Sequence, residues 1–104
     1  MSRLKIAVAG VGLIGRRHVE LVRASNSCQL SAIVDPAPSG AELATRAGVP
    51  AYARLEDMLS ASRPDGIILA TPNRLHVEQA LACIAAGVPA LRSALVGAQH
   101  TVAQ

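Results

Sequence analysis

The sequence predicts a three-layer α/β fold, in which a doubly wound parallel sheet of about five strands is covered by helices on both faces. First, strand-like and helix-like segments alternate along the 104 residues, which is typical of βαβ units. Second, the strand-like runs are apolar at consecutive positions, as expected for strands buried on both faces. Third, 51% of the residues are hydrophobic but Tyr52 is the only aromatic one, so the core must be aliphatic. Right-handed crossovers between parallel strands then place helices on both sides of the sheet.

Two strand–helix pairs occupy the first half of the chain. The first predicted strand, residues 4–9, stops at Gly10, and the following helix over residues 13–24 carries its charges on one face. The second strand, residues 29–34, is apolar and ends at an Asp-Pro pair. An Ala-, Leu- and Glu-rich helix over residues 41–47 follows it.

The second half repeats this alternation with a shorter first pair. Tyr52 indicates a short third strand, and residues 55–60 a short helix. Residues 67–70 form the most apolar strand, and residues 74–86 the next helix. Ala-Gly-Val-Pro follows a helix twice, because Gly takes the left-handed position after a helix and Pro prevents its continuation. A fifth strand is expected after the second of these segments.

Composition excludes several classes of function. Charged residues interrupt every apolar run before the ~18 residues of a membrane span, and a mean hydropathy of +0.36 excludes intrinsic disorder. A single aromatic residue argues against stacking on nucleic acid. The net charge is +3, with five basic residues among the first 23; a solvated surface or a bound phosphate would explain them. Cys28 and Cys83 suggest neither a metal site nor a redox pair, and we expect a cytoplasmic protein with reduced thiols.

The motif with the clearest chemistry is Gly-x-Gly-x-x-Gly at Gly10, Gly12 and Gly15. It lies between a predicted strand and a predicted helix, with an acidic residue about 20 positions later, which is the context of a dinucleotide-binding fingerprint. The first glycine permits a tight turn, the second lets the pyrophosphate approach, and the third allows close helix packing. Leu13 and Ile14 then present helix N-terminal amides to the phosphates. A plain glycine turn is the alternative.

The acidic residue after the second strand, Asp35, predicts which dinucleotide is bound. A carboxylate there accepts hydrogen bonds from the ribose hydroxyls and repels a 2′-phosphate. Its successors are Pro-Ala-Pro, and no arginine follows until Arg46. We therefore expect NAD, with NADP less favoured. The alternative role, capping a turn before Pro36, is compatible with this one.

With these residues placed, the chain resembles the N-terminal domain of the glucose–fructose oxidoreductase/inositol dehydrogenase (Gfo/Idh/MocA) family. The resemblance covers about residues 4–91. The matching segments are residues 5–15 with His18, residues 32–35, residues 64–73 with His76, and residues 80–87.

This resemblance implies roles for the segment after the fourth strand. In the family, the loop matching Thr71, Pro72 and Asn73 runs under the nicotinamide ribose and the pyrophosphate, and His76 matches a family position in the following helix. From the residues alone, Asn73 is also a plausible helix N-cap and His76 a helix-packing residue. Neither His76 nor His18 has a second metal ligand at suitable spacing, so no metal site is predicted.

The chain departs from the family after Leu91. The family has Glu-Lys-Pro there, and its lysine contributes to the active site, whereas this chain has Arg92-Ser-Ala-Leu95. Lys5, the single lysine, belongs to the first strand. We expect a dinucleotide-binding Rossmann domain over residues 1–92 and a divergent tail over residues 93–104, without the family's second domain, and we assign no catalytic residue.

The functional hypotheses follow from that departure. The first is the NAD(P)-binding domain of a sugar or polyol oxidoreductase, truncated and unable to turn over substrate alone. The second is a free-standing nucleotide-sensing or protein-interaction module. A complete small reductase is disfavoured, because hydride transfer needs a placed proton donor or acceptor. Leu91, Leu95 and Val96 lie where the second domain would attach, and they predict a homodimer or a tail folded over the sheet edge.

Overall fold

The computed structural model describes residues 3–71 and 73–92, and among these it describes all side chains except those of Asn73, Arg74, His76 and Arg92. Pro72 and the predicted tail, residues 93–104, lie outside the described residues. Strands and helices alternate in the order β1 (Leu4–Ala9), α1 (Leu13–Ala24), β2 (Cys28–Val34), α2 (Pro38–Ala47), β3 (Ala51–Tyr52), α3 (Leu55–Ala61), β4 (Gly66–Leu69), α4 (Asn73–Ala85) and β5 (Ala90–Arg92).

The five described strands form one parallel sheet in the order β3-β2-β1-β4-β5. The chain therefore places β2 and β3 on one side of β1, crosses over through α3, and places β4 and β5 on the other side. This arrangement confirms the predicted doubly wound α/β fold. It also creates a topological switch point between β1 and β4, where ligands of such sheets bind.

The core divides into two clusters of buried aliphatic side chains, one on each face of the sheet. On the first face, side chains of α1 and α2 pack against the sheet. The buried residues of this cluster are Val8, Val11, Val19, Val22, Leu30, Ile33 and Ala44. On the second face, side chains of α3 and α4 pack against the sheet. The buried residues of this cluster are Ala7, Ala9, Ala32, Val34, Leu55, Met58, Ile67, Leu69, Cys83 and Val88. Successive residues alternate between the two clusters in residues 6–9 of β1 and 32–34 of β2, which explains why these stretches are apolar at consecutive positions.

The Ala-Gly-Val-Pro segments act as predicted. Gly48 and Gly87 both have φ +75°, the left-handed conformation that ends a helix. The amide of Val49 donates to Ala44 O at 3.0 Å, and the amide of Val88 donates to Cys83 O at 2.9 Å. These bonds satisfy carbonyl groups that a helix leaves open at its last turn.

The helix α2 begins three residues earlier than the sequence suggests. Pro38 occupies the first turn, where its fixed φ suits a helix and its missing N–H costs nothing. As a result Gly40, which directly precedes the helix expected from the sequence, is itself helical and buried.

The two cysteines are free and lie on opposite faces of the sheet. Cys83 belongs to the α3–α4 face, and Cys28 packs at the margin of the α1–α2 face. Burial raises the pKa of the Cys83 thiol, so it behaves as a small hydrophobic side chain. Within the described part of the chain, no helix is long and apolar enough to cross a membrane, and no three potential metal ligands cluster.

Candidate dinucleotide-binding site

The glycine loop between β1 and α1 lies at the switch point and is held by close backbone contacts. Gly10 has φ +91°, and a Cβ there would lie 2.8 Å from the carbonyl carbon and oxygen of Ala70, the residue after β4. A Cβ on Gly15 would overlap the carbonyl oxygen of Gly10. These two glycines therefore pack the loop against the β4 end and α1 against the loop. The packing at Gly15 is that predicted for the third glycine, and the positive φ of Gly10 suits the tight turn predicted for the first.

Gly12 differs from its two neighbours in the motif. A Cβ on Gly12 would meet nothing within 4 Å, so the protein itself does not require glycine at this position. Gly12 is the N-cap of α1, and as a glycine it makes no side-chain capping bond to the helix. The first-turn amides, including those of Leu13 and Ile14, thus face an open cradle, with the positive end of the helix dipole behind it. A side chain at position 12 would fill this cradle.

Asp35, at the carboxyl end of β2, is tied to the same loop. Its Oδ2 accepts a hydrogen bond from the Val11 amide at 2.8 Å, and its Oδ1 accepts one from the Ala37 amide at 2.8 Å. The second bond is the turn-capping role predicted as the alternative for this residue. The carboxylate oxygens keep further acceptor capacity, so turn capping and ribose binding are chemically compatible.

The chain beside Asp35 is poor in free donors. Pro36 and Pro38 have no N–H group, and the Ala37 amide is occupied by Asp35. The Gly40 amide donates to Ala37 O at 3.0 Å. An additional anion next to Asp35 would therefore meet a carboxylate and few open donors.

The segment after β4 forms the other wall of the switch point. The Thr71 hydroxyl donates to Gln79 Oε1, which ties this segment to α4. The backbone of Asn73 begins α4, and that of His76 lies in its first turn. The predicted contributions of Pro72 and of the Asn73 and His76 side chains lie outside the described residues.

A cleft that the sequence did not reveal opens at the carboxyl ends of β2, β3 and β4. Its walls come from α3, α4 and the segments that follow these strands: Val34, Pro36, Ala53, Arg54, Leu55, Glu56, Thr71, Leu75, Glu78 and Gln79. Of these residues only Thr71 was predicted. The sequence offered one signal for this cleft, the position of its residues after predicted strands, because residues after parallel strands line the binding edge of such a sheet.

The basic residues near the start of the chain do not form one cluster. Lys5 lies near the amino end of β1, where its amide donates to Asp65 Oδ2 at 2.7 Å, at the edge of the sheet opposite the glycine loop. Arg16 and Arg17 lie in the first turns of α1, beside that loop, and Arg23 lies in the last turn. Only Arg16 and Arg17 could add positive charge near a bound phosphate.

His18 is a half-buried residue of α1, and desolvation lowers the pKa of its imidazole below the ordinary value of 6.5. The neutral form is thus favoured near neutral pH. This environment suits the packing role predicted for His18.

Comparison with known proteins agrees with this geometry. Residues 4–92 match the Gfo/Idh/MocA family, described as an oxidoreductase family with an NAD-binding Rossmann fold. The chain is 34% identical over 92 residues to the rhizopine catabolism protein MocA of Rhizobium meliloti, covering 88% of this chain and 29% of that protein. It is 36% identical over 90 residues to an inositol 2-dehydrogenase of Leifsonia xyli, covering 85% of this chain and 26% of the relative.

A solved structure has the same fold. The WlbA dehydrogenase of Bordetella pertussis, in complex with NADH and UDP-GlcNAcA, superimposes with a TM-score of 0.81 at 28% identity, covering 88% of this chain and 28% of that one. The chain thus spans less than a third of the length of the relatives described here. Its match over residues 4–92, together with the glycine loop and Asp35, shows that the chain belongs to the Gfo/Idh/MocA family of oxidoreductases, as its NAD-binding Rossmann domain.

Proposed function

We propose that this chain binds NAD(H) at the carboxyl edge of the sheet, as the cofactor-binding part of a sugar or polyol oxidoreductase. The observation that carries the proposal is the open cradle at Gly12 beside the Asp35 carboxylate. A dinucleotide needs an anion site and a ribose acceptor next to each other, and these residues fit both requirements. When bound, the cofactor supplies hydride transfer at its nicotinamide.

Each part of the cofactor has a proposed set of residues. The amides at Gly12, Leu13 and Ile14 would hold the pyrophosphate, and Gly10 and Gly15 shape that loop. Asp35 would accept hydrogen bonds from the adenosine ribose. By family resemblance, the segment from Thr71 through Pro72 and Asn73 to His76 would bind the nicotinamide side. The cleft lined by Val34, Ala53 and Leu75 would take the adenine, because it adjoins Asp35 and has apolar walls.

We infer a preference for NAD over NADP from the surroundings of Asp35. A 2′-phosphate next to this carboxylate would be repelled. Pro36 and Pro38 offer no amide, and the Ala37 amide already binds Asp35 at 2.8 Å. A carboxylate with no open amide at the next three positions favours free ribose hydroxyls over a phosphate, although Arg54 lines the neighbouring cleft.

We do not expect this chain to turn over substrate alone. Lys5, its single lysine, lies near the amino end of β1, remote from the carboxyl edge where the cofactor would bind. The stretch that replaces the family's Glu-Lys-Pro begins at Arg92, and it contains no lysine. Because no lysine is available there to donate or accept the proton, we expect cofactor binding without turnover.

Fluorescence titration tests the proposal directly. The purified chain is titrated with NADH and with NADPH, and circular dichroism verifies its fold. We expect saturable NADH binding that is at least about tenfold tighter than NADPH binding, or about 1.4 kcal/mol. We expect no NADH production when NAD⁺ is supplied with inositol or glucose. A folded chain that shows no saturable NADH binding at millimolar concentration would refute the proposal.

We further propose that the chain forms a homodimer through the outer face of α4. Val77, Leu81 and Ile84 recur at helical spacing, and they are 69%, 61% and 71% exposed. Leu91 on the neighbouring edge strand β5 is 64% exposed. Contiguous apolar surface of this kind usually marks an interface, and the two-fold axis of a dimer would bring two such faces together. The tail residues Leu95 and Val96 lie outside the described part.

The exposed face of α4 also favours the second candidate, a nucleotide-sensing module that docks on a protein partner. The two candidates predict different solution behaviour, because a sensing module binds NADH as a monomer and exposes α4 to its partner. A cytoplasmic location and the absence of nucleic-acid and membrane partners remain predictions from the sequence.

A further inference from the structure

Gly40 lies in the first turn of α2 and is buried against Asp35. A Cβ at this position would lie 2.7 Å from the Asp35 Cβ, 3.4 Å from the Asp35 carbonyl oxygen and 3.5 Å from the Asp35 Cγ. Real Cβ atoms do not approach other atoms to 2.7 Å, so any side chain at position 40 must move Asp35 or α2.

The backbone conformation of Gly40 does not explain the glycine. The glycines with positive φ in the described residues are Gly10, Gly48 and Gly87, whereas Gly40 has ordinary helical geometry. Glycine within a helix is less favourable than alanine, because it loses more backbone freedom on folding. Space for Asp35 is therefore the property that this position supplies.

We propose that Gly40 is a positioning residue for the Asp35 carboxylate, and through it for cofactor selectivity; the inference rests on the proposed NAD(H) site. Asp35 bridges two segments, since Oδ2 accepts from the Val11 amide in the glycine loop and Oδ1 from the Ala37 amide beside α2. Both bonds are 2.8 Å long, so a displacement of a few tenths of an ångström weakens them. The first turn of α2 thus sets the distance between the ribose acceptor and the pyrophosphate cradle.

The test is a set of four variants: Gly40→Ala, Asp35→Asn, the two combined, and Ser39→Ala as the control from the same helical turn. Gly40→Ala is expected to weaken NADH binding about tenfold. It should also reduce the ratio of the NADPH and NADH dissociation constants by at least about threefold, since a displaced carboxylate opposes the 2′-phosphate less. Ser39→Ala should change neither quantity. A merely structural weakening of α2 would affect both cofactors equally and leave the ratio unchanged.

The double variant separates positioning from other effects. In the Asp35→Asn background, Gly40→Ala should change the ratio by less than about twofold, because the charge that it displaces is already gone. The inference is wrong if Gly40→Ala leaves the ratio unchanged, or if it changes the ratio equally with and without the aspartate.

Two further measurements keep the inference testable if binding or folding fails. In nuclear magnetic resonance spectra of the free protein, Gly40→Ala should shift the Val11 and Ala37 amide signals, and unchanged signals would refute the inference even if wild type binds no NADH. If Gly40→Ala does not fold, Asp35→Gly/Gly40→Ala removes the opposing Cβ and should restore folding. If the pair fails to fold while Asp35→Gly alone folds, the conflict lies elsewhere and the inference is refuted.

Discussion

The three glycines of the loop differ in what their missing side chains leave room for. Gly10 and Gly15 leave room for the protein's own backbone, at Ala70 and at Gly10 O respectively. Gly12 leaves room for nothing in the protein, since a Cβ there has open space. Substitutions within a single motif should therefore separate folding from cofactor binding.

Gly12→Val is expected to weaken NADH binding at least about 100-fold, because its side chain would fill the phosphate cradle. Its free energy of unfolding should fall by no more than about 1 kcal/mol, because valine caps a helix less well than glycine but meets no atom of the protein within 4 Å. Binding is measured by NADH fluorescence and stability by thermal denaturation. Ala24→Val, at the exposed far end of α1, is the control and should change neither. Unaltered NADH affinity in Gly12→Val would contradict the assignment.

His18 predicts a pH dependence of stability. Burial lowers the pKa of His18 in the folded state, so the folded protein binds this proton less readily than the unfolded chain. The stability that neutral His18 contributes is fully present above a pH of about 6.5, the pKa of histidine in the unfolded chain. This stability is lost as the pH falls through the lower pKa that His18 has in the folded state.

Replacing His18 with Gln should reduce this loss. Urea denaturation between about pH 7.5 and about pH 5 should show a shallower fall of the free energy of unfolding in His18→Gln than in wild type. All other titratable groups are the same in the two proteins, so the comparison isolates His18. If the free energy of unfolding falls equally with pH in both proteins, burial of His18 does not couple folding to protonation.

At the scale of elements, α4 is completed by a residue from outside the helix. Arg63, in the segment after α3, donates from Nη1 to Ala86 O at 2.6 Å. The last turn of α4 contains no basic residue of its own. Arg63 therefore supplies both a donor and a positive charge at the negative end of the helix dipole.

Arg63→Ala should lower the free energy of unfolding by about 1 kcal/mol, as expected for loss of one charge-assisted capping bond at the surface. Arg54→Ala is the matched control. Arg54 is largely exposed, and its 3.8 Å contact with Glu56 is a surface ion pair of small value. Urea denaturation of both variants measures the difference, and equal losses would argue against the cap.

Sequence patterns predict elements better than they predict contacts between elements. The limits of β1 and α1 agree with the structure because a glycine or a break in periodicity marks them. The start of α2 does not agree, because Pro38 and Gly40 look like loop residues until their neighbours are known. The Gly40–Asp35 contact and the cleft beyond β3 involve segments whose proximity is set by the packing of α2 and α3.

At the scale of the molecule, the proposed dimer predicts a defined loss of association. Light scattering should give wild type a mass of about twice 10.7 kDa. Leu81→Glu should return it to the monomer mass, because a charge in the centre of the α4 face would be buried in the interface. Leu21→Glu, which changes an equally exposed leucine on α1, is the control and should remain dimeric. A monomeric wild type would refute the dimer.

The sequence by itself determined the fold class and the edge of the sheet at which we propose that the cofactor binds. Alternating aliphatic runs require a parallel sheet covered on both faces, and a glycine motif between a strand and a helix requires an open helix N-terminus. These properties depend on residues close together in the chain, such as Gly10, Gly12 and Gly15. The ribose acceptor proposed at Asp35 follows from the place of this residue at the end of a strand.

Only the tertiary structure decided which residues share a site. It showed that Asp35 holds the Val11 amide, that Gly40 leaves space for Asp35, and that Arg63 completes α4. It also divided the basic residues, with Lys5 and Arg16 near opposite edges of the sheet. These facts depend on how crossovers bring distant segments together, and local patterns of polarity do not record such distances.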